Sequence, residues 1–127
     1  ALGDLLLAKP NKQLITAKLG DSLRKVVSVM HQHAVSQMPV VGEDGSLVGL
    51  IEEVDLLNHM LEEHDHSHDE KIDALIQNAN AVFPPETSLD EAMPSLTAGL
   101  AIIVIEQSKP IGILTKIDVL DYLAGKI

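Results

Sequence analysis

The sequence runs twice through one pattern, and that duplication limits the folds open to it more than any other feature. Gly49-Leu50-Ile51-Glu52-Glu53-Val54-Asp55-Leu56-Leu57 aligns with Gly112-Ile113-Leu114-Thr115-Lys116-Ile117-Asp118-Val119-Leu120, with glycine, acid and apolar positions in step. Upstream, Asp21-Ser22-Leu23-Arg24-Lys25-Val26-Val27 aligns with Thr87-Ser88-Leu89-Asp90-Glu91-Ala92-Met93, and Met38-Pro39-Val40-Val41 with Ala101-Ile102-Ile103-Val104. The chain therefore divides into a first repeat over 1–64, a His-rich linker over 65–68 and a second repeat over 69–127.

Each repeat reads as β-α-β-β-α. A polar cap at Asp21 or Ser22, and again at Thr87 or Ser88, predicts a helix start, and Ser88 with Glu91 has the spacing of a capping box. Leu23, Val26, Val27, Met30 and Ala34 recur at helical spacing and predict one buried face. Strands are expected over Gln37–Val41 and Leu47–Ile51, joined by a hairpin at Glu43-Asp44-Gly45-Ser46 in which Gly45 takes positive φ. The second repeat repeats this with Leu100–Ile105 and Ile111–Leu114, joined by Gln107-Ser108-Lys109-Pro110. Amphipathic helices follow, with Leu56, Leu57, Met60 and Leu61 on one and Val119, Leu120, Tyr122 and Leu123 on the other. Pro94 is expected to shorten or kink its helix. The sheet of such a unit has an apolar face that its own helices do not cover. Two units burying those faces on each other give an α+β sandwich with pseudo-twofold symmetry and one cleft per repeat.

Composition removes several functions. Asp and Glu number 19 against 9 Lys and Arg, a net charge of −10, which repels nucleic-acid backbones and anionic membrane surfaces alike. No apolar run approaches the length of a membrane span. With no Cys there is no disulfide frame, thiolate nucleophile or Cys-based zinc site, in keeping with a cytoplasmic protein. No phosphate-binding glycine loop, Gly-x-Ser-x-Gly elbow or other cofactor motif is present, so no catalytic residue is expected. Nothing at the N-terminus has the form of a secretory leader, and Ala1-Leu2-Gly3-Asp4 reads as the cut end of a longer protein.

Ser36-Gln37-Met38-Pro39-Val40-Val41, the Asp44-Gly45 turn, Leu47-Val48-Gly49-Leu50-Ile51 with Asp55, and Gly112-Ile113-Leu114-Thr115-Lys116-Ile117-Asp118 resemble a CBS-domain pair, or Bateman module, over nearly the whole chain. Gly3-Asp4-Leu5-Leu6 and Tyr122-Leu123-Ala124-Gly125-Lys126-Ile127 resemble the C-terminal regulatory region of bacterial cystathionine β-synthase-like enzymes. That likeness implies a regulatory module binding an adenosyl compound: S-adenosylmethionine, AMP or ATP. It also implies homodimers built through apolar helix faces, here 53–62 and 117–124, and a parent catalytic domain. The pyridoxal phosphate (PLP) of such a parent would lie in a missing N-terminal part.

The resemblance places Thr115, Ile117 and Asp118 at the ribose and phosphate of the ligand. Val35 and Gln37 would line its adenine pocket from the other repeat, with Ile15 behind, and Lys116 adds a cation. Chemically, Thr115 and Asp118 follow a strand and open a helix, so two uses stay open for Asp118: accepting ribose hydroxyls, or capping the helix, worth a few tenths to about 1 kcal/mol. In the first repeat Glu52 stands where the second has Thr115. With Glu53 and Asp55 it makes an acidic rim that repels phosphate, so this second site, at Asp55 and Glu52, is expected to be degenerate. Only Lys116 and Lys109 lie near the better site in sequence, and Arg24 is the single arginine, which favours the cationic S-adenosylmethionine. His64, His66 and His68 are candidate metal ligands, though a solvated linker has the same composition. A ligand-free oligomerisation scaffold is the competing function.

Overall fold

The computed structural model describes residues 1–10, 13–62 and 70–126. They form helix α1 (Leu2–Ala8), strand β1 (Ala17–Lys18), α2 (Leu23–His33), β2 (Gln37–Val41), β3 (Leu47–Glu52) and α3 (Glu53–Glu62). A 3-10 turn (Asp73–Leu75) follows, then β4 (Val82–Phe83), α4 (Leu89–Thr97), β5 (Ile102–Glu106), β6 (Lys109–Leu114) and α5 (Lys116–Ala124). Each repeat is thus βαββα. The first sheet has the order β1-β2-β3 and the second β4-β5-β6, each with one parallel and one antiparallel pairing.

The compact units do not coincide with the sequence repeats. Ile15–Ala79 form a contiguous unit, and Ala1–Leu14 join Asn80–Ile127 in a split unit. The boundaries 1–64 and 69–127 follow the duplication, but the N-terminal helix packs with the later copy. The cause is apolar burial. Leu2 and Leu5 are buried with Ala92, Leu96, Ile102, Val104 and Leu114. Two N–H groups of the first helical turn, which an isolated helix leaves unpaired, donate to this unit: Leu2 to the Thr87 carbonyl at 2.9 Å and Gly3 to that of Pro85 at 2.9 Å. Leu6 rests so closely on Gly112 that a Cβ there would collide with the leucine side chain.

Residues 70–79 enter the contiguous unit by the same means. Ile72 is fully buried with Ala17, Leu23, Val26, Met38 and Ile51. The Leu23 N–H donates to Glu70 O at 2.8 Å and the Ile72 N–H to Asp21 O at 3.0 Å.

Local signals account for most elements. The Ser22 hydroxyl accepts from the Lys25 N–H at 3.1 Å, and that of Ser88 from the Glu91 N–H at 3.2 Å. The box at Ser88 is half formed, because among the described residues the Glu91 side chain makes no return bond. Gly45 takes φ +84° in the first hairpin. The second hairpin is tighter than expected. Gln107 and Ser108, at φ 51° and 68°, form a two-residue turn, so Lys109 and Pro110 belong to β6. Pro110 is accommodated because β6 is an edge strand.

Pro94 does not end its helix: α4 continues to Thr97, and the Pro94 carbonyl accepts the Ala98 N–H at 3.0 Å. Leu23, Val26 and Met30 form the buried face of α2, whereas Ala34 lies beyond it as a left-handed cap and Val27 is exposed.

Replacing Leu2 by Ala should cost about 2–5 kcal/mol by emptying a packed site. Leu7→Ala, at an exposed position of the same helix, should change stability by less than about 0.5 kcal/mol. Urea denaturation of both variants measures the difference, and equal effects would mean that α1 is not anchored by its leucines.

Candidate functional site

In the split unit β6 ends at the buried Leu114, Thr115 stays extended at φ −113° and ψ 173°, and α5 starts at Lys116. Asp118 is the third helical residue, placed to reach back over the helix start. Its Oδ2 accepts the Thr115 backbone N–H at 2.9 Å and the Thr115 hydroxyl at 3.1 Å. The same oxygen pairs with Lys9 Nζ at 3.3 Å, and that ammonium also donates to the Ile113 carbonyl at 2.8 Å.

Helix capping, one of the two uses open to Asp118, is therefore realised, and all of it falls on one oxygen. Among the described residues Oδ1 has no hydrogen-bond partner and no buried polar side-chain atom is left unsatisfied, so Oδ1 keeps solvent-accessible surface. With a side chain only 17 % exposed, Asp118 sits in the wall of a hollow of about 670 Å³. Lys9, Asp121, Tyr122 and Lys126 share that wall. Lys126 Nζ stands 4.6 Å from the centre of the Tyr122 ring. Lys116 and Ile117 are exposed on the first turn of α5.

The corresponding turn of the contiguous unit is closed differently. Glu52 ends β3 in register with Gln37, Glu53 opens α3, and Asp55 lies one turn in. The Asp55 carboxylate accepts the side-chain amide of Gln77. The Gln77 backbone pairs with Leu50 in both directions, at 2.8 and 2.9 Å. This approach needs Gly49, since a Cβ there would strike the Gln77 carbonyl and the Ile76 side chain. The acidic rim thus exists as a sequence of three acids, with Asp55 tied to an amide.

The remaining candidates also lie in this unit. Val35 lines an apolar hollow of about 700 Å³ together with Val27, Met30, Leu56, Leu57 and Met60. Ile15 is half-buried against the unit's core. His64, His66 and His68 lie outside the described residues. His59 pairs with Glu70 at 2.5 Å, and among the described residues no group of three or more His, Asp or Glu is arranged for a metal.

Lys9 and Gln77 were not legible as site residues. Lys9 lies 104 positions from Ile113 in sequence and Gln77 22 from Asp55, and neither belongs to a local motif. The only hint available was the apolar spacing of Leu2, Leu5 and Leu6, which marks a helix that must bury one face somewhere.

A profile of the CBS domain matches residues 2–62 and 74–125. The chain belongs to the CBS-domain family. An inosine-5′-monophosphate dehydrogenase of Nitrosopumilus maritimus is 30 % identical over 111 residues, covering 81 % of this chain but 23 % of the dehydrogenase. A CBS domain-containing protein of Methanocaldococcus jannaschii is 31 % identical over 104 residues, 68 % of this chain and 83 % of that protein. Among solved structures, a CBS-domain pair in complex with 5′-methylthioadenosine and S-adenosyl-L-methionine superposes with TM-score 0.78 at 21 % identity, covering 99 % of this chain and 97 % of the other. CBSX2 in complex with AMP gives 0.80 at 23 % identity, covering 98 % and 96 %. At these identities the structural likeness is one of fold. Among the described residues no helix is long and apolar enough to cross a membrane.

Lys9 and Asp118 should be energetically coupled, because each is mostly withdrawn from solvent, with side chains 20 % and 17 % exposed. A double-mutant cycle with Lys9→Met and Asp118→Asn should give a coupling of roughly 0.5–3 kcal/mol that shrinks with added salt. Additive stabilities in chemical denaturation would show the pair to be incidental.

Proposed function

We propose that the chain is a ligand-sensing regulatory module that takes an adenosyl compound at the Thr115–Asp118 turn. One observation carries this reading: Asp118 Oδ1 is an unclaimed carboxylate oxygen in the wall of a hollow, held in place by three donors on Oδ2. A carboxylate so fixed accepts a ribose hydroxyl without losing side-chain freedom at that moment. The N–H groups of the first turn of α5 and the exposed Lys116 and Ile117 flank it. Two proteins of the same fold, solved with AMP and with S-adenosyl-L-methionine, support the ligand class.

The contiguous unit's turn, with Glu52, Glu53 and the amide-bound Asp55, we assign as unfilled. Sensing follows if the ligand favours one arrangement of the module over another. Regulation of a larger enzyme fits a chain that matches 23 % of a dehydrogenase's length, and a PLP-dependent cystathionine β-synthase-like parent is the narrower form of this reading.

Calorimetric titration tests the site. Asp118→Asn keeps an acceptor for the Thr115 N–H but carries one carbonyl oxygen in place of two carboxylate oxygens. It should weaken AMP or S-adenosylmethionine at least about tenfold, the equivalent of 1.4 kcal/mol. Asp55→Asn should leave binding unchanged. A wild-type chain whose melting is unmoved by either ligand at millimolar concentration favours the scaffold function instead, because a site filled at 100 times its Kd adds about 2.7 kcal/mol.

A second copy of the chain is the proposed partner. Leu57 and Leu120 are 56 % and 61 % exposed, and Val54, Met60 and Leu61 on α3 and Ile117 and Leu123 on α5 are exposed beside them. Apolar faces of this extent are commonly covered by another subunit. Leu57→Glu and Leu120→Glu, at positions already in solvent, should convert a dimer to a monomer in sedimentation equilibrium with the fold intact. Wild-type chain that sediments as a monomer at 100 times the working concentration contradicts the assignment.

A further inference from the structure

With an adenosyl ligand on Asp118, as proposed above, we infer that Lys9 sets its charge class, making the site one for an anionic adenosine mononucleotide rather than for a cationic adenosyl compound. Cations counted along the sequence near Asp118 are Lys116 and Lys109, and on that count an unshielded acid would draw a sulfonium. The fold changes the count by bringing Lys9 from the end of α1 to the acid, with Nζ 3.3 Å from Oδ2.

Lys9 is not a loose surface cation. Its ammonium is fixed by the Ile113 carbonyl at 2.8 Å and by Asp118, and its side chain is 20 % exposed. Two of its three N–H donors are thereby directed, and among the described residues the third has no partner. It lines the same hollow as Asp118.

A bare carboxylate at the ribose repels a phosphate carried on that ribose and attracts a positive sulfur. Paired with a fixed ammonium it does neither, its free Oδ1 still accepts the sugar hydroxyl, and the third N–H of Lys9, uncommitted among the described residues, is left to donate to a phosphate oxygen. The remaining charges on the hollow, Asp121 and Lys126, balance each other in sign, so Lys9 decides the total. In the contiguous unit the equivalent acid, Asp55, is held by the neutral amide of Gln77, and Glu52 and Glu53 adjoin it. That turn keeps its negative charge, so the two repeats differ in the charge they present to a ligand.

The test compares AMP, adenosine and S-adenosylmethionine by calorimetry on the full chain and on Lys9→Met and Lys9→Arg. The wild type should prefer AMP to S-adenosylmethionine. Lys9→Met should lower the ratio of AMP to S-adenosylmethionine affinity by about tenfold, an effect of one charge at a few ångströms from the site. Adenosine, which carries no charge, should change less than about threefold, which separates charge selection from damage to the fold. Lys9→Arg should restore the ratio, and added salt should compress it. A ratio that Lys9→Met leaves unchanged overturns the role of Lys9 while leaving the adenosyl site standing. Failure of all three ligands to bind the wild type overturns both.

Discussion

Burial of Leu2 and Leu5 in the core of residues 80–127 is the constraint on which the rest of the split unit depends. α1 has 7 residues, too few to hold a helix on its own backbone bonds. It persists because its leucines leave water and its first N–H groups find carbonyls at Pro85 and Thr87. Both ends of the helix are then determined. Its start is tied to the segment before α4, and its end delivers Lys9 to the turn between β6 and α5. A contact between residues more than a hundred positions apart is thus a consequence of hydrophobic packing one turn earlier.

The contiguous unit solves the same problem with different groups. Its βαββα layer is completed by residues 70–77, with Ile72 as the anchor. Here the backbone itself makes the connection: Leu50 and Gln77 exchange both bonds, and Gly49 is glycine because the opposing carbonyl lies where a Cβ would be. In the split unit the matching strand position, Ile113, receives a lysine side chain instead. The first strand end is thus closed by backbone alone, whereas the second is closed by an ammonium that also reaches Asp118.

What could be read from the residues was what local rules control. The Gln37–Val41 strand, the Asp44-Gly45 turn and the serine caps of α2 and α4 follow from alternation, positive φ and the unpaired N–H groups of a helix start. The capping spacing of Thr115 and Asp118 was legible too, although its further use was not decided by it. Local rules said that Pro94 shortens or kinks its helix but not how far: α4 holds the proline inside and runs 9 residues against 11 for α2, with Ala92 and Leu96 buried on either side of it. They misjudged the Gln107–Ser108 turn, where neither residue is the glycine or asparagine that usually marks positive φ. Above all they are silent on where α1 packs. A duplication shows which segments are copies, whereas packing decides which segments lie together, and only the second relation brings Lys9 to Asp118.

This distinction bears on how a duplicated fold acquires two unlike sites. In a chain of net charge −10 most surfaces are acidic by default, and a departure from that requires a cation held in place. The contiguous turn assembles Glu52, Glu53 and Asp55 with a neutral amide, whereas the split turn assembles Thr115, Lys116 and Asp118 with an ammonium. The backbones follow the same strand–turn–helix path, so the difference in potential comes from side chains alone, and one of the decisive ones lies outside the duplicated motif. Because Lys9 is carried by α1, the charge of the turn is linked to the docking of that helix. Loosening Leu2 and Leu5 would withdraw the ammonium and return the second turn to the acidic character of the first.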